Sequence, residues 1–185
     1  MVAAPKADSR SLMQFFLRSG RLKAEMRRGW VKKLGMEHPE SVADHSYRTA
    51  LMAMVICDVR GLDSGRAMRL ALLHDLPESI VGDATPDERS GKGKSDLETR
   101  AMREIVKGLP AKVRGLYMRT WREYLEGKTE EARLVRQLDK LEMAVQAWEY
   151  SRTLSDPSQT REFWATARRH VSDDDLVSLL KKVEP

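Results

Sequence analysis

Leu70-Ala71-Leu72-Leu73-His74-Asp75-Leu76-Pro77-Glu78 decides how the rest of the chain is to be read. An apolar run of helical character closes on an adjacent histidine and aspartate. Proline follows two residues later, and it cannot continue the backbone ladder and restricts the residue before it. The run predicts a helix from about Ser64 to Leu76, with His74 and Asp75 at its end, where neighbouring side chains can turn toward one point. Upstream stands His45, inside Glu40-Ser41-Val42-Ala43-Asp44-His45-Ser46, and downstream Asp139, inside Gln137-Leu138-Asp139-Lys140-Leu141-Glu142. An ionisable group in apolar, helix-reading sequence is costly unless something partners it. Two imidazoles and two carboxylates form a donor set for a divalent metal that leaves positions free for water and substrate. Mn²⁺, Co²⁺, Fe²⁺ or Zn²⁺ suits this set better than Ca²⁺. The competing interpretation is that each residue, taken singly, is an ordinary core or surface group.

Working outward, the pattern is helical throughout. Ser9 or Ser11 can cap a first helix that turns Leu12, Phe15 and Phe16 inward and ends near Ser19-Gly20. Ser41 with Asp44 three residues on resembles a capping box, after which Val42, His45, Thr49, Met52 and Ile56 share one face. Thr85 to Lys94 is polar and glycine-bearing and reads as a mobile loop, with Ser95 and Glu98 capping the helix that follows. Further helices are expected around Val113–Leu125, from Thr129 through Leu134, Leu138, Leu141, Val145 and Trp148, at about Arg161–His170, and at Asp173–Leu180 with Ser172 as its cap. No strand alternation or repeat is evident. The expectation is an all-α fold, a single helical domain over residues 1–185 with its core at about 12–180 and a flexible stretch over 1–8.

The chain has 185 residues, 41% hydrophobic and 33% charged, enough to bury a core without disulfides. Its single Cys57 lies in an apolar stretch and reads as a buried thiol, which excludes a disulfide scaffold and favours a cytoplasmic address. No stretch approaches the roughly 20 apolar residues that span a bilayer, and no leader-like apolar segment opens the chain. A net charge of +5 suits a small phosphorylated substrate as well as nucleic acid, and much of it belongs to solvated helix faces. Gly91-Lys92-Gly93-Lys94-Ser95 ends like a phosphate-cradling loop, but Glu88 stands where that loop needs glycine and no strand precedes it. His38 and His170 lack carboxylates at ligand spacing, and Cys57 lacks a group to activate it, so cysteine catalysis is rejected.

The order His45…His74-Asp75…Asp139, with Glu78 and Gly82-Asp83 after the doublet, resembles the HD-domain metal-dependent phosphohydrolases. Gly29-Trp30-Val31, Pro39 to His45, Leu73 to Asp83 and Gln137-Leu138-Asp139 are similar to one branch, the YfbR-like 5′-deoxynucleotidases, over roughly Leu12 to Leu180. The resemblance implies a single HD-domain bundle with His45, His74, Asp75 and Asp139 as metal ligands. It also implies that Glu78 and Asp83 handle the attacking water or leaving-group proton, or hold a second cation such as Mg²⁺. In isolation Glu78 is an ordinary glutamate after a helix end, and Gly82-Asp83 an ordinary turn. Arg27 and Arg28 supply fork-shaped donors for phosphate and Trp30 a flat face for base or sugar. In some relatives the arginine directly precedes the tryptophan; here Gly29 intervenes and two arginines compete, with surface charges and a core indole as the alternative.

The expected activity is hydrolysis of deoxynucleoside 5′-monophosphates, by a homodimer such as similar proteins form, with neither nucleic acid nor membrane among its partners. The alternatives are another HD phosphohydrolase acting on a diester, a triphosphate or a guanosine polyphosphate, or a non-catalytic basic helical module that binds nucleic acid.

Overall fold

The structure is a computed structural model that describes residues 8–85, 88 and 91–183. Among these residues it is all α, its one β feature being an isolated antiparallel bridge between Met26 and Ser41. Of the expected flexible start over 1–8, residues 1–7 lie outside the described residues, as do the loop positions Pro86, Asp87, Arg89 and Ser90, while Asp8 is held as a helix cap.

α3 (Val42–Arg60) is the central helix, and α4 (Ser64–Leu73) and α8 (Glu130–Ser151) pack on it. The capping box at its start forms as the spacing predicts: Ser41 Oγ accepts from Asp44 N, and Asp44 accepts from Ser41 N at 2.9 Å. Val42, His45 and Thr49 are then fully buried on the inward face, followed by Ala53 and Cys57. α8 starts at its Thr129 cap and carries Leu134, Leu138 and Leu141 into the same core, with α9 (Arg161–His170) and α10 (Asp174–Val183) laid against it. A second apolar cluster joins Leu22, Leu73 and Leu76 to α6 (Gly91–Val106) and α7 (Ala111–Glu126) through Met102, Ile105, Val106 and Trp121. The metal-ligand candidates sit where these two cores meet.

Several local expectations are corrected. α1 (Ser9–Ser19) is capped by Asp8, which accepts from Arg10 N and Ser11 N, and Phe16 is 57% exposed rather than inward. α10 is capped not by Ser172 but by Asp173, whose Oδ1 accepts from Leu176 N at 3.2 Å, while the Gln137 side chain takes the Ser172 and Asp173 N–H groups. α6 begins at Gly91 rather than Ser95, so Lys94 is a helical residue and not part of a loop. α4 also stops earlier than expected, at Leu73. Pro77 has no N–H to offer the Leu73 carbonyl, and tighter bonds from Leu76 N to Leu73 O and from Glu78 N to Asp75 O replace the ladder. That turn presents His74 and Asp75 side by side and launches the single-turn helix α5 (Glu78–Val81).

Candidate metal centre

His45 enters from the first turn of α3, His74 and Asp75 from the turn after α4, and Asp139 from the middle of α8. His45 Nε2 lies 3.3 Å from Asp139 Oδ1 and 3.7 Å from Asp75 Oδ2, and His74 Nε2 lies 3.0 Å from Asp75 Oδ2. Ligand atoms of His45, His74 and Asp139 fall within 4.8 Å of one another, and all three residues are buried.

The far side of each imidazole fixes which nitrogen faces the cluster. His74 Nδ1 donates to the Ala71 carbonyl at 2.6 Å, using an acceptor that the helix end leaves free. His45 Nδ1 donates to the Glu142 carboxylate, which Arg48 Nε also engages at 2.8 Å. Both Nε2 atoms therefore point their lone pairs inward, and neither makes a hydrogen bond although both are buried. Two orphaned imidazole nitrogens facing two carboxylates fit a divalent cation. The electrostatics agree. Burial and the Arg27 charge oppose protonation of His45, yet Asp139 and Glu142 outweigh them and raise its pKa to about 9. Burial pushes Asp75 up, but His74 and His45 hold it below the ordinary carboxylate range; Lys140 and His45 do the same for buried Asp139. The cluster draws positive charge.

A cavity of about 210 Å³ opens over the cluster, its wall including Arg27, Asp75, Glu78, Asp83, Lys94, Asp139, Lys140, Met143 and Phe163. Glu78 is only 7% exposed; burial, then Asp75 and Asp83, drive its pKa well above the usual range. Asp83 is placed by Gly82, whose φ of 74° and ψ of 157° form a backbone state essentially reserved to glycine. Beyond that bend Asp83 Oδ2 accepts from Arg28 N at 2.6 Å and Asp83 N donates to Glu25 Oε1 at 3.0 Å.

The two arginines part company. Residues 25–27 are pinned to residues 40–42 by bonds from Val42 N to Glu25 O and from Arg27 N to Glu40 O, which aim the Arg27 side chain inward, 3.7 Å from Glu40. Burial works against the Arg27 charge, but Glu40, Glu142, Asp75 and Asp139 raise its pKa above the ordinary value. Arg28 turns away to Glu88 at 3.1 Å and contributes only its backbone N–H to Asp83. Trp30 does not offer the open face expected of it: it is 1% exposed, packs on Phe163 at a centroid distance of 4.0 Å, and donates to Glu40 at 2.9 Å. It shapes the cavity wall from within.

Glu142, Arg48, Lys94 and Tyr124 were not singled out from sequence. Glu142 stands three residues after Asp139, and Arg48 three after His45, one helical turn from each ligand candidate. A charged residue embedded that way in an apolar stripe is a signal for an orienting partner. Tyr124, whose Oη lies 3.5 Å from Asp139 Oδ2, has no such signal.

The HD domain family model matches residues 19–177 of the chain. The chain belongs to the HD domain family. Among its relatives, the 5′-deoxynucleotidase HDDC2 of Mus musculus is 39% identical over 185 residues, covering 100% of this chain and 92% of that protein. The Homo sapiens protein of the same name is 40% identical, covering 95% of this chain and 86% of its own length. The solved structure of the PH0347 protein from Pyrococcus horikoshii OT3 superposes with a TM-score of 0.74 at 31% identity, covering 92% of this chain and 97% of that one. This HD domain thus carries a buried His/Asp/Glu cluster able to hold a metal ion. No helix of the described residues is long and apolar enough to cross a membrane.

Proposed function

We propose that the protein is a metal-dependent 5′-deoxynucleotidase that hydrolyses deoxynucleoside 5′-monophosphates to deoxynucleoside and phosphate. The observation that carries this reading is the pair of orphaned Nε2 atoms of His45 and His74, facing Asp75 and Asp139 beneath a cavity that Arg27 enters. The relatives named 5′-deoxynucleotidase, matched over nearly their whole length, support it.

His45, His74, Asp75 and Asp139 would hold one divalent ion, with Mn²⁺, Co²⁺, Fe²⁺ or Zn²⁺ matching two nitrogens and two carboxylates. When bound, it supplies Lewis acidity toward water and phosphate oxygens. The remaining work falls to the chain. Arg27 clamps the phosphate, with Lys94 and Lys140 adding charge from α6 and α8. Glu78, whose pKa burial and two carboxylate neighbours raise, gives a proton to the departing 5′-oxygen. In the other role open to this pair, an ionised Glu78 and the adjacent Asp83 would instead take a second, harder ion such as Mg²⁺. Phe163 and Met143 give the nucleoside an apolar wall.

That wall carries no fork for a base edge, so all bases should be accepted, while a closely packed sugar should be sensitive to an added 2′-hydroxyl. Steady-state assays should give comparable kcat/KM for dAMP, dGMP, dCMP and TMP, with AMP and GMP at least about tenfold lower. Equal rates on ribonucleotides would remove the deoxy preference. Release from triphosphates or diesters alone would replace the whole reading by another HD-type hydrolysis. A homodimer and a cytoplasmic location belong to the same proposal. α3 exposes Tyr47, Leu51, Val55 and Val59 at four-residue intervals, from 43% to 79% exposed, an apolar stripe suited to a second copy, which sedimentation tests.

A further inference from the structure

A second cavity, of about 460 Å³, lies on the other side of Asp139, between the C-terminal end of α7, the outer face of α8 and the turn after α9. Arg133, Arg136 and Lys140 follow one another at three and four residues along α8 and so share one helix face. All three line this cavity, with His170 opposite, and its one carboxylate is Asp139. Asp139 is not free to neutralise them: it faces His45 at 3.3 Å and already pairs with Lys140 at 2.9 Å. Arg133 and Arg136 each donate to a backbone carbonyl, of Lys128 at 2.5 Å and of Leu125 at 3.5 Å. Among the described residues neither guanidinium is given a carboxylate partner. A guanidinium has five N–H donors, so one carbonyl each leaves most of them unclaimed. Like charges at such spacing repel, which an anion between them would relieve.

We infer that this groove is a binding site for a small phosphate-bearing anion, distinct from the metal centre. The fork geometry of two arginines on one face matches the oxygens of a phosphate. The volume lies within the range of small-molecule sites, roughly 300–1,000 Å³, which suits anions from free phosphate to a nucleotide. The inference stands apart from the hydrolytic reading because its measure is binding.

The test is calorimetric titration of the full-length, metal-loaded protein with inorganic phosphate, and separately with dATP as competitor. Wild type should bind a second phosphate beyond any held at the metal centre. R133A/R136A should lose that second event or weaken it at least tenfold, while Asp75→Ala keeps it. Displacement of the second phosphate by dATP assigns the site to a nucleotide's phosphates; no displacement assigns it to free phosphate. Both arginines are exposed, so an unchanged melting temperature is expected of the double variant. Should it fail to fold, Arg136→Gln alone should still weaken the second event. Phosphate binding that is lost entirely in Asp75→Ala, or that survives both arginine substitutions unchanged, overturns the site.

Discussion

The two cavities that meet at Asp139 both reach Lys140 as well, yet they are opposite in charge design. Over the histidines, Arg27, Lys33, Lys94 and Lys140 face Asp75, Glu78, Asp83, Asp139 and Glu162, so acidic side chains outnumber basic ones. Across α8, Arg133, Arg136 and Lys140 face Asp139 alone. An anion can enter the second groove directly. In the first, carboxylates stand among the cations, and the two buried, unbonded Nε2 atoms mark where a metal ion would add positive charge. If both proposals hold, the difference separates a surface that attracts phosphate from one that acts on it.

The largest effect should come from breaking the acid side of this comparison. Asp75→Ala removes the carboxylate that lies within reach of both imidazoles, and with it several kcal/mol of ion-dependent catalysis, so turnover should fall by about three orders of magnitude or more. Elemental analysis should show the bound metal lost in parallel, while helical content stays near that of the wild type. Normal activity with full metal content in this variant would remove Asp75 from the ligand set.

A smaller effect should follow from loosening what orients the ligands. Glu142 is fully buried, accepts from His45 Nδ1 and Arg48 Nε, and is held ionised by His45, Arg27 and Arg48 against the pull of burial. Such outer partners typically account for about 10–100-fold in metal affinity. Glu142→Ala should cost that much in a chelator competition, and Glu142→Gln, which keeps an oxygen to accept from Nδ1, should recover part of it. If Ala and Gln lose affinity equally, the bond to His45 is not what matters.

Much of this was legible in the chain because it is local. The capping box at Ser41, the apolar stripe of α8 and the proline after the His74-Asp75 doublet each fix geometry within a turn or two. What was not legible depends on contacts far apart in sequence. His45 and Glu142 are 97 residues apart, and no spacing rule joins them. Lys94 read as loop because Gly91 and Gly93 are poor helix formers, but the folded protein carries α6 through both and brings Lys94 to face Glu98, Glu78 and Asp75, which raise its pKa against burial. Arg27 and Arg28 are alike in sequence; only the pairing of residues 25–27 with 40–42 sends one inward and the other to Glu88.

The smallest effect is on stability, and it sharpens the comparison because the acid-rich cavity should be a liability before the ion binds. Glu78 has its folded pKa raised by burial and by Asp75 and Asp83. Below the unfolded value of about 4.3 the group is protonated in both states and there is no penalty. As pH climbs past that value, the unfolded chain ionises while the folded one keeps its proton, so unfolding is favoured until the raised folded pKa is passed. Stability tied to this group is thus present in acid and lost as pH rises. Glu78→Gln, neutral at every pH, should escape the loss. In chelator it should melt a few degrees above wild type at pH 8, at about 2–4 °C per kcal/mol for a chain of this size, and the gap should close near pH 4. The same variant should turn over roughly 10²-fold more slowly when metal is restored, with the metal still bound. Thermal melts followed by circular dichroism at pH 4, 6 and 8 decide it. A wild type that is equally stable or more stable at pH 8 would mean that Glu78 is ionised and compensated inside the fold, and the acid-rich cavity would then need no ion to be at rest.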